Sequence, residues 1–135
     1  MKKSQSDGKR PRLSELERQI MQIIWDKGKA NSRQIKETFD EIRPLAINTI
    51  LTVMRRLEKK NYIKEVPRIG RAKMYKPVVP REMVAKKSLR RLLEGLYRGS
   101  ASSMVAQLLN TENIQEDELE GIRQMLDRKF KKKKR

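Results

Sequence analysis

The chain has 135 residues, with 34 Lys and Arg against 17 Asp and Glu, a formal charge of +17, and neither Cys nor His. These absences exclude disulfides, thiolate zinc sites, a thiol nucleophile and the imidazole that most often acts as general base or metal ligand; with no Gly-rich phosphate loop or close carboxylate pair, neither an enzyme nor a cofactor is expected. Only 36% of the residues are hydrophobic and 4% aromatic, which leaves little for a large private core and points to a core completed by association.

The first segment, MKKSQSDGKRPR, is polar, basic and broken by Gly8 and Pro11, so residues 1–12 are expected to form a disordered basic arm. LSELERQIMQIIWDKG then carries helix start and stop signals. Ser14 with Glu17 three residues later fits a capping box, and Gly28 fits a C-terminal cap. Between them Leu16, Ile20, Ile23 and Ile24 make a stripe for burial, with Trp25 at its far end. ANSRQIKETFDEI repeats this grammar: Asn31 or Ser32 can cap, and Ile35, Phe39 and Ile42 share one face before Pro44.

In NTILTVMRRLEKKNYI (residues 48–63), Ile50, Val53, Met54 and Leu57 follow i, i+3, i+4, i+7 spacing, so a helix is expected over residues 47–60. Its other side carries Asn48, Thr52, Arg55 and Lys59, with Glu58 the single acid, on the flank. YIKEVPRIGRAKMYKPVV brings β-branched and aromatic residues around a turn at residues 67–70, which reads as a hairpin whose turn bears Arg68, Arg71 and Lys73. Three helices followed by a basic hairpin make a winged helix-turn-helix, closed by Pro77 and Pro80.

The remainder reads as three amphipathic helices. REMVAKKSLRRLLEGLY groups Val84, Leu89, Leu92, Leu93 and Leu96; SSMVAQLL, after the break at Gly99 and Ser100, contributes Met104 and Leu108. EDELEGIRQMLDRKF aligns Leu119, Ile122, Met125, Leu126 and Phe130. A segment of this size cannot bury all these stripes alone, so Leu89, Leu92, Leu93, Leu96, Met104, Leu108, Leu119, Ile122, Met125 and Leu126 are candidate dimer contacts in a two-fold pair. The expected fold is therefore mostly α with a small β-hairpin, a winged helix-turn-helix at residues 13–80 and a helical dimerisation domain at 81–130, followed by a basic tail at 131–135. No apolar run approaches the roughly 18 residues of a membrane span and no signal peptide opens the chain, so a cytoplasmic protein without membrane insertion is expected.

Charge is concentrated. Residues 42–80 hold ten cations and two acids, a net +8, whereas the other large excesses lie in the tails. Such a block is the footprint of a polyanion binder. An ordinary solvated helix face mixes signs to gain i, i+4 pairs, which the third helix does not. Asn pairs with adenine, Arg with guanine, and Thr with bases or phosphates in the major groove of duplex DNA. Asn48, Thr49, Thr52 and Arg55 are thus candidates for base edges, and Arg56, Lys59, Lys60, Arg68, Arg71 and Lys73 for phosphates. Arg33, supported by Ser32 at the start of the second helix, is a further phosphate candidate. Leu51 either covers the base of the hairpin or meets a thymine methyl. Two rival readings are a sequence-blind architectural protein, which charge alone would serve, and a winged helix that contacts an acidic protein.

These segments resemble the penicillinase repressor family of bacterial winged-helix regulators, which includes β-lactamase and methicillin-resistance repressors. TILTVMRRLEKKNYI is similar to the family's T-[VI]-x-T-x-x-x-R-L-x-x-K pattern at Thr49, Thr52, Arg56, Leu57 and Lys60. LSELERQIMQIIW resembles its first helix at Glu17, Met21 and Trp25, and LLEGLYRGS its dimer-domain segment. The resemblance implies a homodimer that represses genes from a pseudo-palindromic operator, often resistance genes, and that is released when a membrane sensor protease cuts the dimer domain. The best-known members are cut at an Asn–Phe bond; the equivalent bond here is Gln107–Leu108. A copper-responsive branch relies on C-terminal cysteines, which this chain lacks. Arg is frequent in the family where Leu51 stands.

Overall fold

Helix α1 (Glu15–Lys27) starts at a reciprocal cap. The Ser14 hydroxyl accepts from the Glu17 backbone N–H (3.3 Å), and the Glu17 carboxylate accepts from the Ser14 N–H (2.8 Å). It stops at Gly28, whose φ of 82° lets its N–H return to the Ile24 carbonyl, a turn costly for a residue with a Cβ. A computed structural model of the chain describes residues 10–68 and 70–133. Helix α2 (Ser32–Asp40) repeats the device with Asn31 and Gln34. Helix α3 (Ile47–Lys59) begins after Ala46 with no side-chain cap.

The three helices close on one core. Ile20, Met21 and Ile24 of α1, Ile35 and Phe39 of α2, and Ile50, Val53, Met54 and Leu57 of α3 are all buried. Ile42 departs from the expected stripe and is 80% exposed. The reason is local: α2 ends at Asp40, so the helical period stops before Ile42, whose N–H folds back on the Phe39 carbonyl in a turn.

Strands β1 (Ile63–Val66) and β2 (Met74–Pro77) form an antiparallel hairpin with Glu65 opposite Tyr75. Buried Ala30 exchanges two backbone hydrogen bonds with Tyr75 (2.8 and 2.9 Å), which stitches the hairpin to the α1–α2 connection. The indole N–H of Trp25 donates to the Val79 carbonyl (2.9 Å) and holds the chain leaving β2 against α1.

The basic arm differs from expectation where it is described. Arg10 donates to the Asn61 carbonyl (2.9 Å) and lies over the Tyr62 ring, the Tyr62 hydroxyl donates to the Pro11 carbonyl (2.6 Å), and Lys60 donates to the Arg12 carbonyl (3.0 Å). Residues 10–12 are therefore strapped to the end of α3. Residues 1–9 of the arm, like 134–135 of the tail, lie outside the described residues.

Helix α4 (Arg81–Tyr97) contains the division between two compact units, which falls between Ser88 and Leu89 rather than at residue 80. Met83 and Val84 explain the shift, because they pack on the core of the first unit. The second unit continues through α5 (Ala101–Thr111) and α6 (Glu116–Lys133). The expected basic tail is helical as far as Lys133: lysine is a good helix former, and Lys131, Lys132 and Lys133 oppose the negative end of the helix dipole. No residue of α4, α5 or α6 is buried.

The contrast between core and turn is measurable. Ile50→Ala should cost about 2–5 kcal/mol in urea denaturation followed by circular dichroism, whereas Ile42→Ala should change stability by less than about 0.5 kcal/mol.

Candidate nucleic-acid interface

At 100° per residue, Asn48, Thr52, Arg55 and Lys59 fall within about 60° of one another around α3. All four are exposed, opposite the buried Ile50, Val53 and Leu57. Thr49 is half-buried at the edge of this face. The Thr52 hydroxyl donates to the Asn48 carbonyl (2.9 Å) and accepts from the Arg55 guanidinium (3.4 Å). Its proton is thus used within the helix, a common habit of Thr, and Thr52 presents a lone pair and a methyl outward.

A cleft of about 420 Å³ separates α3 from the hairpin, lined by Ser32, Leu51, Met54, Arg55, Glu58, Ala72, Lys73 and Tyr75. It brings together three polar candidates from separate segments: Ser32 of α2, Arg55 of α3 and Lys73 of the hairpin loop. Leu51 is half-buried here, facing Ala72 and Tyr75 across the cleft. Burial, and then the carboxylates of Glu58 and Glu65, push the Tyr75 hydroxyl up, so it stays a neutral phenol at neutral pH. Arg33, Arg68 and Arg71 are exposed around this region.

Arg56 and Lys60 stand elsewhere. Both turn toward Glu17, whose side chain is only 2% exposed: Lys60 Nζ lies 2.7 Å from one carboxylate oxygen and Arg56 Nε 3.2 Å from the other. Burial alone would raise the Glu17 carboxyl, but the hydrogen bonds from Lys60 and the Ser14 backbone, with the charge of Lys60 and the Arg56 hydrogen bond, outweigh it and hold Glu17 below the usual carboxylate value. Glu17 takes a hydrogen bond from each, yet one carboxylate offsets only one of the two charges, and the Arg56 side chain remains 52% exposed. Only the burial of Glu17 had a signal in the sequence: it lies three residues before Ile20 and four before Met21, on the face that α1 buries. The strap at residues 10–12 had no comparable signal.

Among the C-terminal candidates, Leu89, Leu92, Leu96, Leu108, Leu119, Met125 and Leu126 are exposed, whereas Leu93, Met104 and Ile122 are partly covered. Gln107 and Leu108 lie within α5, where the Gln107 amide oxygen accepts from the Tyr97 hydroxyl (2.9 Å).

A helix pair with a brief turn, a third helix offering amide, hydroxyl and cationic groups, and a basic hairpin beside it define a winged-helix DNA-binding protein. The family model described as penicillinase repressor matches residues 13–128. The chain is 33% identical over 117 residues to the transcriptional regulator BlaI of Mycobacterium tuberculosis, covering 85% of this chain and 83% of that one. It is 28% identical over 123 residues to the methicillin resistance regulatory protein MecI of Mammaliicoccus sciuri, covering 91% and 99%. In fold it is similar to a mutant MarR from E. coli, solved with operator DNA (TM-score 0.50, 12% identity, 86% of this chain and 74% of that one). The chain belongs to the penicillinase repressor family: it is a sequence-specific DNA-binding transcriptional repressor and not an enzyme.

Because the Glu17 carboxyl is held below 4.5 in the folded chain, its stabilising effect is complete above that value and disappears as pH falls through the lowered one. Glu17→Gln should therefore lower stability at pH 7 by about 1–3 kcal/mol. The variant should also show a shallower loss of stability below pH 4.5 than the parent when urea midpoints are compared across pH.

Proposed function

We propose that this repressor works as a homodimer that sets two α3 helices into successive major grooves of a pseudo-palindromic operator, about one helical turn or a multiple apart. The observation that carries this reading is the exposed face of α3, where Asn48, Thr52 and Arg55 offer groups that pure charge binding does not need. Arg55 and Asn48 read base edges, Thr52 adds its methyl and lone pair, and Thr49 contacts the groove from the edge of the face. Lys59, Ser32, Arg33, Arg68, Arg71 and Lys73 hold the sugar-phosphate strands on either side of the cleft. Arg56 and Lys60 serve mainly to seat α3 through Glu17.

Dimerisation is supported by the second unit, whose helices expose Leu89, Leu92, Leu96, Leu108, Leu119, Met125 and Leu126 and bury nothing. A membrane sensor protease acting at Gln107–Leu108 completes the scheme. That bond lies inside α5, so the helix must open before a protease can hold it in extended form. By likeness to MecI and BlaI, the regulated genes are proposed to serve antibiotic resistance. No helix among the described residues is long and apolar enough to cross a membrane, which fits a cytoplasmic site of action.

Footprinting on the chain's own upstream region tests the reading. A protected inverted repeat supports it, and uniform coating would favour charge-driven architectural binding. Arg55→Ala should weaken operator binding by about 1–3 kcal/mol and relax preference at one base pair of each half-site. Lys59→Ala should weaken all sequences alike and lower the salt slope by about one, whereas Arg56→Ala should leave that slope nearly unchanged.

A further inference from the structure

We propose that α6 pairs antiparallel with the α6 of a second copy of this chain, the acidic amino end of each helix lying against the lysine-rich carboxyl end of the other. This inference rests on the homodimer reading and specifies its geometry. Along α6 (Glu116–Lys133) the first turn carries Glu116, Asp117 and Glu118, and the last carries Lys131, Lys132 and Lys133. At 100° per residue, Leu119, Ile122, Leu126 and Phe130 occupy an arc of about 80° between these ends. Leu119, Leu126 and Phe130 are 40%, 53% and 66% exposed, so their own chain leaves much of this stripe open, with Ile122 partly covered.

The charge order by itself suits the helix's own dipole, acids first and cations last. The dipole gives no reason for the exposed apolar stripe between the charged ends, and pairing gives one for both. A two-fold axis between residues 124 and 125 brings Glu116, Asp117 and Glu118 opposite Lys133, Lys132 and Lys131 of the second copy. A parallel pair would set acid against acid and lysine against lysine, which is repulsive at both ends. Glu120 is already paired with Arg123 in its own helix (2.9 Å) and is not needed for the match. Leu126, 53% exposed at the middle of the arc, is the residue of the stripe nearest the axis.

The chain has no native Cys, so single cysteines report the geometry without altering its charges. In the antiparallel pair, position 119 faces position 130 of the other copy, and the two residues 119 are roughly 16 Å apart along the axis, beyond disulfide reach. The expected result with the full chain under mild oxidation is that Leu126→Cys, at the middle of the stripe and within about 5 Å of its own copy along the helix, links to itself. Leu119→Cys and Phe130→Cys should each fail to do so alone and should link when mixed. The dimer dissociation constant of the parent should also rise by about tenfold between about 0.1 M and 1 M salt. Self-linking of both Leu119→Cys and Phe130→Cys would mean a parallel pair and overturn the inference. So would a dimer that forms none of these links, or one whose affinity salt leaves unchanged or improves; in each case the homodimer itself survives. Sedimentation as a single chain at micromolar concentration would instead overturn the homodimer reading.

Discussion

The buried carboxylate of Glu17 fixes the relation between the helix that opens the fold and the helix that reads DNA. Three structural demands meet on it: it caps α1 through the Ser14 N–H, it accepts Lys60 at the end of α3, and it accepts Arg56 one turn earlier. An acid placed among Ile20, Met21 and Ile24 is tolerable only because those partners neutralise it. Lys60 also donates to the Arg12 carbonyl, so the same ammonium draws the entering chain onto the end of α3. With α3 clamped this way, the face bearing Asn48, Thr52 and Arg55 is turned outward by construction.

The two units are stabilised differently. The first has a core in which α1, α2, α3, the hairpin and the start of α4 all take part. Its hairpin is small, yet the backbone exchange between Ala30 and Tyr75 and the Trp25–Val79 hydrogen bond anchor it at both ends. A two-stranded hairpin alone is marginal in water, and these attachments allow it to stand as a fixed wing beside α3. The second unit consists of helices whose apolar stripes meet solvent.

Much of this was legible because local rules act strongly here. The capping box at Ser14, glycine at position 28, and the i, i+3, i+4, i+7 stripe of α3 each depend on residues close in sequence and are found as read; of the two cap candidates Asn31 and Ser32, Asn31 is the cap, in a second capping box with Gln34. What the pattern does not show arises where distant contacts or helix ends decide. Ile42 kept the period of α2 on paper, but the helix had already stopped. Arg56 and Lys60 looked like two more surface cations, because nothing near them in sequence shows that a carboxylate about forty positions earlier turns inward to meet them. The strap at residues 10–12 depends on carbonyl oxygens, which every residue has and no pattern marks. The domain boundary slid into α4 because Met83 and Val84 fit a core assembled from elements far up the chain.

That α4, α5 and α6 bury no residue has a consequence for the protein's life in a cell. A freshly made single chain closes one core in its first unit, while the helices of its second unit keep leucine-rich faces open to solvent, surface of the kind that quality-control factors bind. On the homodimer reading proposed above, the cover for these faces comes from another copy, and the steady amount of repressor would then rise more steeply than its rate of synthesis.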